Sequence, residues 1–431
     1  MTTPIRTFLI LSFYALFSCE PGTDQHPPET TSAEPSSLHP VIASGVRARI
    51  DSTLRSLTGP GGAAGASALI YEQGEEVYFG AFGHADREAD RPMDRNTIVQ
   101  IYSMTKPLTG TALMQLWEQG KFQLDDPVSQ YFPEFANLSV YAGVDANGKV
   151  KTEALHRPMT VRDLTRHTSG FYNGGDTPGL QEMWEKADVR ATDHTLAELA
   201  KKIATYPLLF HPGEQWLYGP SVDMQALLVE RLSGQPFDEY LRTNVLDPLG
   251  MTETRYFVPE ADRSRLSAVY RRSDDGTLTQ MPAAESQAFN TNEQVLTPGG
   301  WGLTATLDDY LSFAQMLVNE GSHNGVQILK PETVQLMATS HLSEDVTERS
   351  WLPSKGQMGF GINFAVRVRP PADKEENNGV VGEFYWDGAA STLFWVDPTN
   401  ELTAVLFTQL FPYDPIRLHK KFRDAVYGPL E

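Results

Sequence analysis

Ser103-Met104-Thr105-Lys106 sets a hydroxyl and an amine three residues apart, just after the apolar run Ile98-Val99-Gln100-Ile101-Tyr102 and at the opening of a helical pattern from Leu108 to Gly120. At a helix start, residues i and i+3 share a face, so the amine can reach the hydroxyl. One turn then carries a nucleophile and the group that takes its proton. The helix N-terminus favours negative charge on the attacking oxygen, and its free N–H groups can face a developing oxyanion. Acyl transfer is the chemistry this suits. The spacing alone decides little, because a helix-capping serine followed by a solvated lysine reads the same way.

Companions are needed, and two stretches supply them. Tyr218 lies in Trp216-Leu217-Tyr218-Gly219-Pro220-Ser221, ahead of a helical pattern that begins near Met224. A phenol titrates near pH 10, and a nearby lysine ammonium lowers it, so Tyr218 is expected to serve as a base; its bland alternative is a core aromatic. Trp386-Asp387-Gly388-Ala389-Ala390 reads as the end of a strand, where glycine lets a substrate lie against the backbone or simply marks a bulge. The esterase elbow Gly-x-Ser-x-Gly is missing. Gly219-Pro220-Ser221-Val222-Asp223 lacks its last glycine, which makes Ser221 a poor nucleophile. A single cysteine, with no His-Glu-x-x-His and no phosphate-binding glycine loop, implies neither metal nor organic cofactor.

The chain that must position these groups has 431 residues, 40% hydrophobic and 21% charged, enough for a sizeable core. Its 55 acidic residues outnumber 35 basic ones, and a formal charge of -20 argues against nucleic acid as a partner. Arg6 followed by the apolar stretch from Thr7 to Phe17 reads as a signal peptide over residues 1–18. Leu16-Phe17-Ser18-Cys19 resembles the lipobox of bacterial lipoproteins, which implies a lipid anchor on Cys19 and a membrane as partner. Residues 19–38, rich in Pro, Ser, Thr and Glu, form a tether.

A helix from about His39 up to Gly59 precedes two strands, Ala66 to Tyr71 and Glu76 to Phe82, joined through Gly74. The text is then mostly helical from Tyr102 to Phe289, with a hairpin at Asn147-Gly148. Strand-like runs return at Phe360 to Val368, Thr392 to Val396 and Thr403 to Leu410, and a helix from Ile416 to Val426 closes the chain. A sheet domain over residues 39–102 and 290–431, with a mostly helical domain at 103–289 between its parts, is the expected organisation.

The order of Ser-x-x-Lys, Tyr and glycine-bearing strand resembles the serine hydrolases that include class C β-lactamases, D-alanyl-D-alanine peptidases and family VIII carboxylesterases. Ile101-Tyr102-Ser103-Met104-Thr105-Lys106-Pro107, Leu124-Asp125-Asp126-Pro127-Val128, His167-Thr168-Ser169-Gly170, Asp247-Pro248-Leu249-Gly250-Met251 and Gly299-Gly300-Trp301-Gly302-Leu303 carry the likeness, which spans about residues 40–428. The resemblance implies an α/β fold of the β-lactamase and penicillin-binding-protein transpeptidase type, an antiparallel sheet flanked by helices with a mostly helical inserted domain. It also implies Ser103 as the acylated nucleophile, Lys106 as its activating partner and Tyr218 as the base. The backbone N–H groups of Ser103 and Ala389 would form the oxyanion hole, and His167 would be structural.

Departures from the β-lactamase pattern bear on the substrate. Pro220 stands where the penicillin-directed enzymes have the asparagine of Tyr-x-Asn, and Trp386 where they have the lysine of Lys-Thr-Gly. An amide and a carboxylate-holding cation are thereby lost, and Asp387 would repel a carboxylate further. Trp386-Asp387-Gly388 is similar to the Trp-x-Gly of family VIII esterases. Tyr102, Tyr172 and Trp301, with Trp386, Asp387 and Gly388, are expected to meet the substrate. The expectation is an exported serine hydrolase of the bacterial periplasm or cell envelope that cleaves small neutral carboxylic esters through a Ser103 acyl-enzyme. The alternatives are a β-lactamase, a D-Ala-D-Ala carboxypeptidase or D-aminopeptidase, and a non-catalytic envelope binding protein.

Overall fold

A computed structural model describes residues 40–430; the signal, the tether and Cys19 lie outside the described residues. An eight-stranded antiparallel sheet organises the chain. Its strands are β1 (Gly65–Glu72), β2 (Glu75–Asp86), β3 (Arg91–Pro92), β4 (Met358–Phe360), β5 (Ala365–Arg367), β6 (Phe384–Asp387), β7 (Leu393–Asp397) and β8 (Leu402–Phe407). Across the sheet they run β4-β5-β6-β7-β8-β1-β2-β3, so early and late parts of the sequence meet where Ser67 pairs with Phe407 and Glu72 with Leu402. The β1–β2 turn holds Gln73 at φ 53° and Gly74 at φ 79°, the pair of left-handed residues that matches the twist of a two-residue hairpin.

Helices cover both faces of the sheet, which is why its central strands are apolar without alternation. Phe394 packs on Tyr310 and Phe313 of α4 (Leu307–Val318). Its neighbour Trp395 points the other way, onto Phe422 and Tyr427 of α5 (Leu418–Tyr427). Each such ring contributes about 1.5–3 kcal/mol through burial. α1 (Ser44–Leu57) packs beside α5, and the buried Glu383 carboxylate, which takes Arg367 Nε at 2.8 Å and Arg423 Nη1 at 2.9 Å, ties α5 to the sheet.

α2 (Thr105–Glu118) is buried on nearly every side and packs against α3 (Ser221–Ser233). A helix apolar all round belongs in the interior. Its first turn faces the sheet end at β6, and α3 begins three residues after Tyr218.

Two local expectations change. Phe360 to Val368 is a hairpin, β4 and β5, because Asn363 turns the chain at φ 61° and its Nδ2 donates to the Lys106 carbonyl at 3.1 Å. The hairpin near Asn147-Gly148 joins Ser139–Val144 to Val150–Ala154 through a wider loop, in which the Asp145 carboxylate accepts from the N–H groups of Asn147 and Lys149 at 2.8 and 3.0 Å.

Candidate active site

Ser103 occupies a single 3₁₀ turn, Tyr102–Met104, that runs directly into α2. Tyr102 takes φ 46°, a left-handed backbone that a non-glycine residue adopts at about 1–3 kcal/mol. The surroundings hold it there. The Ile101 N–H donates to the Leu303 carbonyl at 3.0 Å, Tyr310 Oη donates to the Met104 carbonyl at 2.8 Å, and the Leu303 N–H donates to Thr105 Oγ1 at 3.3 Å.

Lys106 Nζ lies 3.3 Å from Ser103 Oγ, donates to the Gly300 carbonyl at 2.6 Å and sits 4.4 Å from the centre of the Tyr218 ring. The close approach of residues 299–300 needs glycine, since a Cβ on Gly299 would strike the Val222 carbonyl of α3. Burial pushes the Lys106 amine down to about 8; Asp223 and Asp387 oppose the shift without cancelling it. Asp223, whose carboxyl burial raises, accepts from the Gly300 N–H at 2.9 Å and faces the lysine across that glycine.

Tyr218 stands in an aromatic cage. His167, Trp216, Trp351 and Trp386 lie within 4.7–6.1 Å of its ring, centre to centre, and Trp386 Nε1 donates to Tyr218 Oη at 3.3 Å. Burial raises the phenol far above its ordinary value, while hydrogen bonds with Ser103 and Trp386 pull weakly the other way. The expectation that lysine lowers Tyr218 is therefore corrected. The cage strips water that a phenolate would need, and the amine, not the phenol, is the group brought near neutrality. His167, behind the tyrosine, is buried and kept neutral by burial and by Lys106, and neither ring nitrogen has a partner among the described residues.

The end of β6 completes the arrangement. A Cβ on Gly388 would strike Thr392 Oγ1 and lie 2.6 Å from the Ile101 carbonyl. It is the protein's own Ile101–Ser103 turn, rather than substrate, that lies against this glycine. Ala389 then lines the same cavity as Ser103, and its N–H has no acceptor among the described residues, as an oxyanion donor requires. Gly388→Ala should force the strand end away from Ser103. The expected result is a kcat about 10- to 10³-fold lower, the scale of losing one oxyanion donor, with about 1–3 kcal/mol lost to overpacking; steady-state kinetics and thermal melts would read both.

These groups line a cavity of about 360 Å³. Tyr102 and Trp301 are on its wall, together with Pro220. Four expected substrate contacts lie elsewhere: Gly388 abuts the Ile101 turn, and three others are held inside the protein. Tyr172 is buried, its hydroxyl set between two acceptors, the Gly175 carbonyl at 2.6 Å and Gln181 Oε1 at 2.8 Å. Trp386 meets Tyr218 instead of the cavity. Asp387 is buried against Lys355 Nζ and accepts from Tyr413 Oη at 2.6 Å, so its charge is neutralised within the protein.

Sequence reasoning missed Lys355, Trp351, Asn173, Arg190, Leu199 and Leu296. Only Lys355 had a signal, since a carboxylate inside a strand needs a cation. A metal-like group also exists away from the cavity, where His156, His211 and Glu214 bring ligand atoms within 4.8 Å. The two rings stack 3.5 Å apart and 10° from parallel, so their in-plane lone pairs do not converge on one ion.

An antiparallel sheet flanked by helices, with Ser-x-x-Lys and tyrosine converging at the end of an inner strand, defines a serine hydrolase of the penicillin-recognising architecture. Comparison with known proteins agrees. The family model described as Beta-lactamase matches residues 50–427, and the chain belongs to that family. An uncharacterised protein of Mycobacterium tuberculosis is 31% identical over 366 residues, covering 84% of this chain and 89% of the relative. Esterase EstB of Burkholderia gladioli is 28% identical over 410 residues, covering 90% and 96%. In fold, the chain is similar to unliganded simvastatin synthase (LovD) from Aspergillus terreus, with a TM-score of 0.77 at 23% identity over 89% of this chain and 98% of that one.

Proposed function

We propose that the protein hydrolyses small carboxylic esters whose groups beside the scissile carbonyl are neutral, through an acyl-enzyme on Ser103. The observation that carries this is Lys106 Nζ 3.3 Å from Ser103 Oγ with an amine brought down to about 8, beneath a protonated Tyr218. In its neutral form Lys106 accepts the serine proton as Oγ attacks the carbonyl carbon, and the Ser103 and Ala389 N–H groups take the oxyanion. Tyr218, the neighbour of Ser103 across Lys106, passes a proton to the departing alkoxide and is restored through Lys106. Water then repeats the sequence on the acyl-enzyme, releasing the acid and free Ser103.

Support for an ester over a penicillin-like substrate comes from Pro220 and Trp386, which offer neither side-chain amide nor cation, and from Lys355, whose charge is spent on Asp387. The relative named as an esterase points the same way. The site of action we propose is the bacterial envelope, with Cys19 as lipid anchor, on the strength of residues 1–19. A panel of esters of graded chain length, run beside a cephalosporin and a D-Ala dipeptide, tests the reading. Faster opening of the cephalosporin than of a short-chain nitrophenyl ester would replace it with a β-lactamase.

The base assignment gives a pH dependence with a definite sign. Only unprotonated Lys106 accepts a proton, so kcat/KM should rise about tenfold per pH unit below about 8 and level off above it. A flat profile between pH 6 and 9 would remove Lys106 from that role.

A further inference from the structure

We propose that Arg190 forms a carboxylate-binding subsite at the rim of the cavity, so that the preferred ester carries an ionised carboxylate remote from its scissile bond. The proposal rests on the ester-hydrolase reading of the same cavity and names the substrate class within it.

The cavity's three charged lining groups differ in what they face. Lys106 and Asp223 meet across Gly300 at the buried floor, each held by that glycine's backbone. Arg190 lines the opposite, helical side and is exposed. Among the described residues no carboxylate lies within 4.0 Å of it and no acceptor takes its N–H groups. The side chain is nevertheless placed. Its guanidinium carbon sits 4.5 Å from the centre of the Trp184 ring, which is buried and itself packs edge-on against Tyr172, 6.2 Å away. The hydroxyl of Tyr172 is fixed by Gly175 and Gln181.

Stacking occupies the face of the guanidinium and leaves its edge, the fork of N–H donors, for a ligand. A planar fork matches a carboxylate with two parallel hydrogen bonds. In a chain of net charge -20, a guanidinium at the cavity rim with no carboxylate partner among the described residues also gives an anionic ester a local attraction. The free cation that the sheet side lacks, with Trp386 in the lysine's place and Lys355 paired to Asp387, is thus supplied from the helical side, farther from the reacting carbonyl.

The carboxylate can belong to the acyl part or to the alcohol part, and two matched substrate pairs separate these: monophenyl glutarate against phenyl valerate, and 3-acetoxybenzoate against phenyl acetate. The wild type should favour the anionic member of at least one pair, and Arg190→Met should lower that preference in kcat/KM about tenfold, through KM. Arg190→Lys should restore part of it, and 0.5 M salt should weaken it. An anionic-to-neutral ratio unchanged by Arg190→Met in both pairs would overturn the subsite while leaving ester hydrolysis intact.

Should neither pair be turned over, the ester reading fails, and calorimetry on the Ser103→Ala chain still decides the subsite. Binding of monophenyl glutarate weakened about tenfold by Arg190→Met supports it; equal or undetectable binding overturns it.

Discussion

Ser103→Ala should lower ester turnover by about 10⁴-fold or more while leaving the fold in place. The size of the loss follows from the absence of a substitute among the described residues lining the cavity. Ser221, the other serine near Tyr218, is 1% exposed and shares a 2.8 Å hydrogen bond with Ser169 Oγ. Asp223 is held by the Gly300 N–H and faces the lysine. The fold should survive because the hydrogen-bond partner of Ser103 Oγ among the described residues is Lys106 Nζ, and the turn around it is fixed by Ile101, Met104 and Thr105. The melting temperature should therefore move little, as for substitutions outside the packed core. Near-normal hydrolysis by this variant would discard Ser103 as nucleophile.

Tyr218→Phe carries the second large effect, a turnover about 10²- to 10⁴-fold lower. Only one hydroxyl is removed. The ring remains in contact with His167, Trp216, Trp351 and Trp386, so the cage stays packed. Trp386 Nε1 loses its acceptor, which costs about 1 kcal/mol. Because burial keeps the phenol protonated, the proposed role of Tyr218 is donor and relay, and the residual activity of the variant should still rise through the Lys106 limb near pH 8. A change confined to KM would make Tyr218 a pocket residue instead.

What could be read from the sequence was local. Ser-x-x-Lys works through one helical turn, and a three-residue spacing is enough to place both groups. The Gly74 turn follows from backbone chemistry at two adjacent residues, and the apolar runs of β1, β7 and β8 show burial directly.

What could not be read depends on distant partners. The order of the two pKa values reversed because Trp351, Trp386 and His167, each from a different part of the chain, dry out Tyr218. Asp387 is a repulsive charge by residue type alone, and Lys355, 32 residues earlier in the chain, neutralises it. Phe360 to Val368 had strand chemistry throughout, and it broke into a hairpin because Asn363 binds the Lys106 carbonyl and Gln225. Tyr172 resembled a pocket residue in composition, yet its hydroxyl is satisfied inside the protein. Arg190 belongs to no motif, and its place on the cavity wall and its stacking on Trp184 distinguish it from a solvated arginine.

The central claim is that Ser103 Oγ attacks and carries the acyl group. It is tested most directly by treating the intact chain with a fluorophosphonate at neutral pH and locating the adduct by peptide mass spectrometry. A single adduct on Ser103, formed faster as pH rises toward 8 and abolished in Ser103→Ala, is the expected result. No adduct, or one on another residue with Ser103 unmodified, would contradict it.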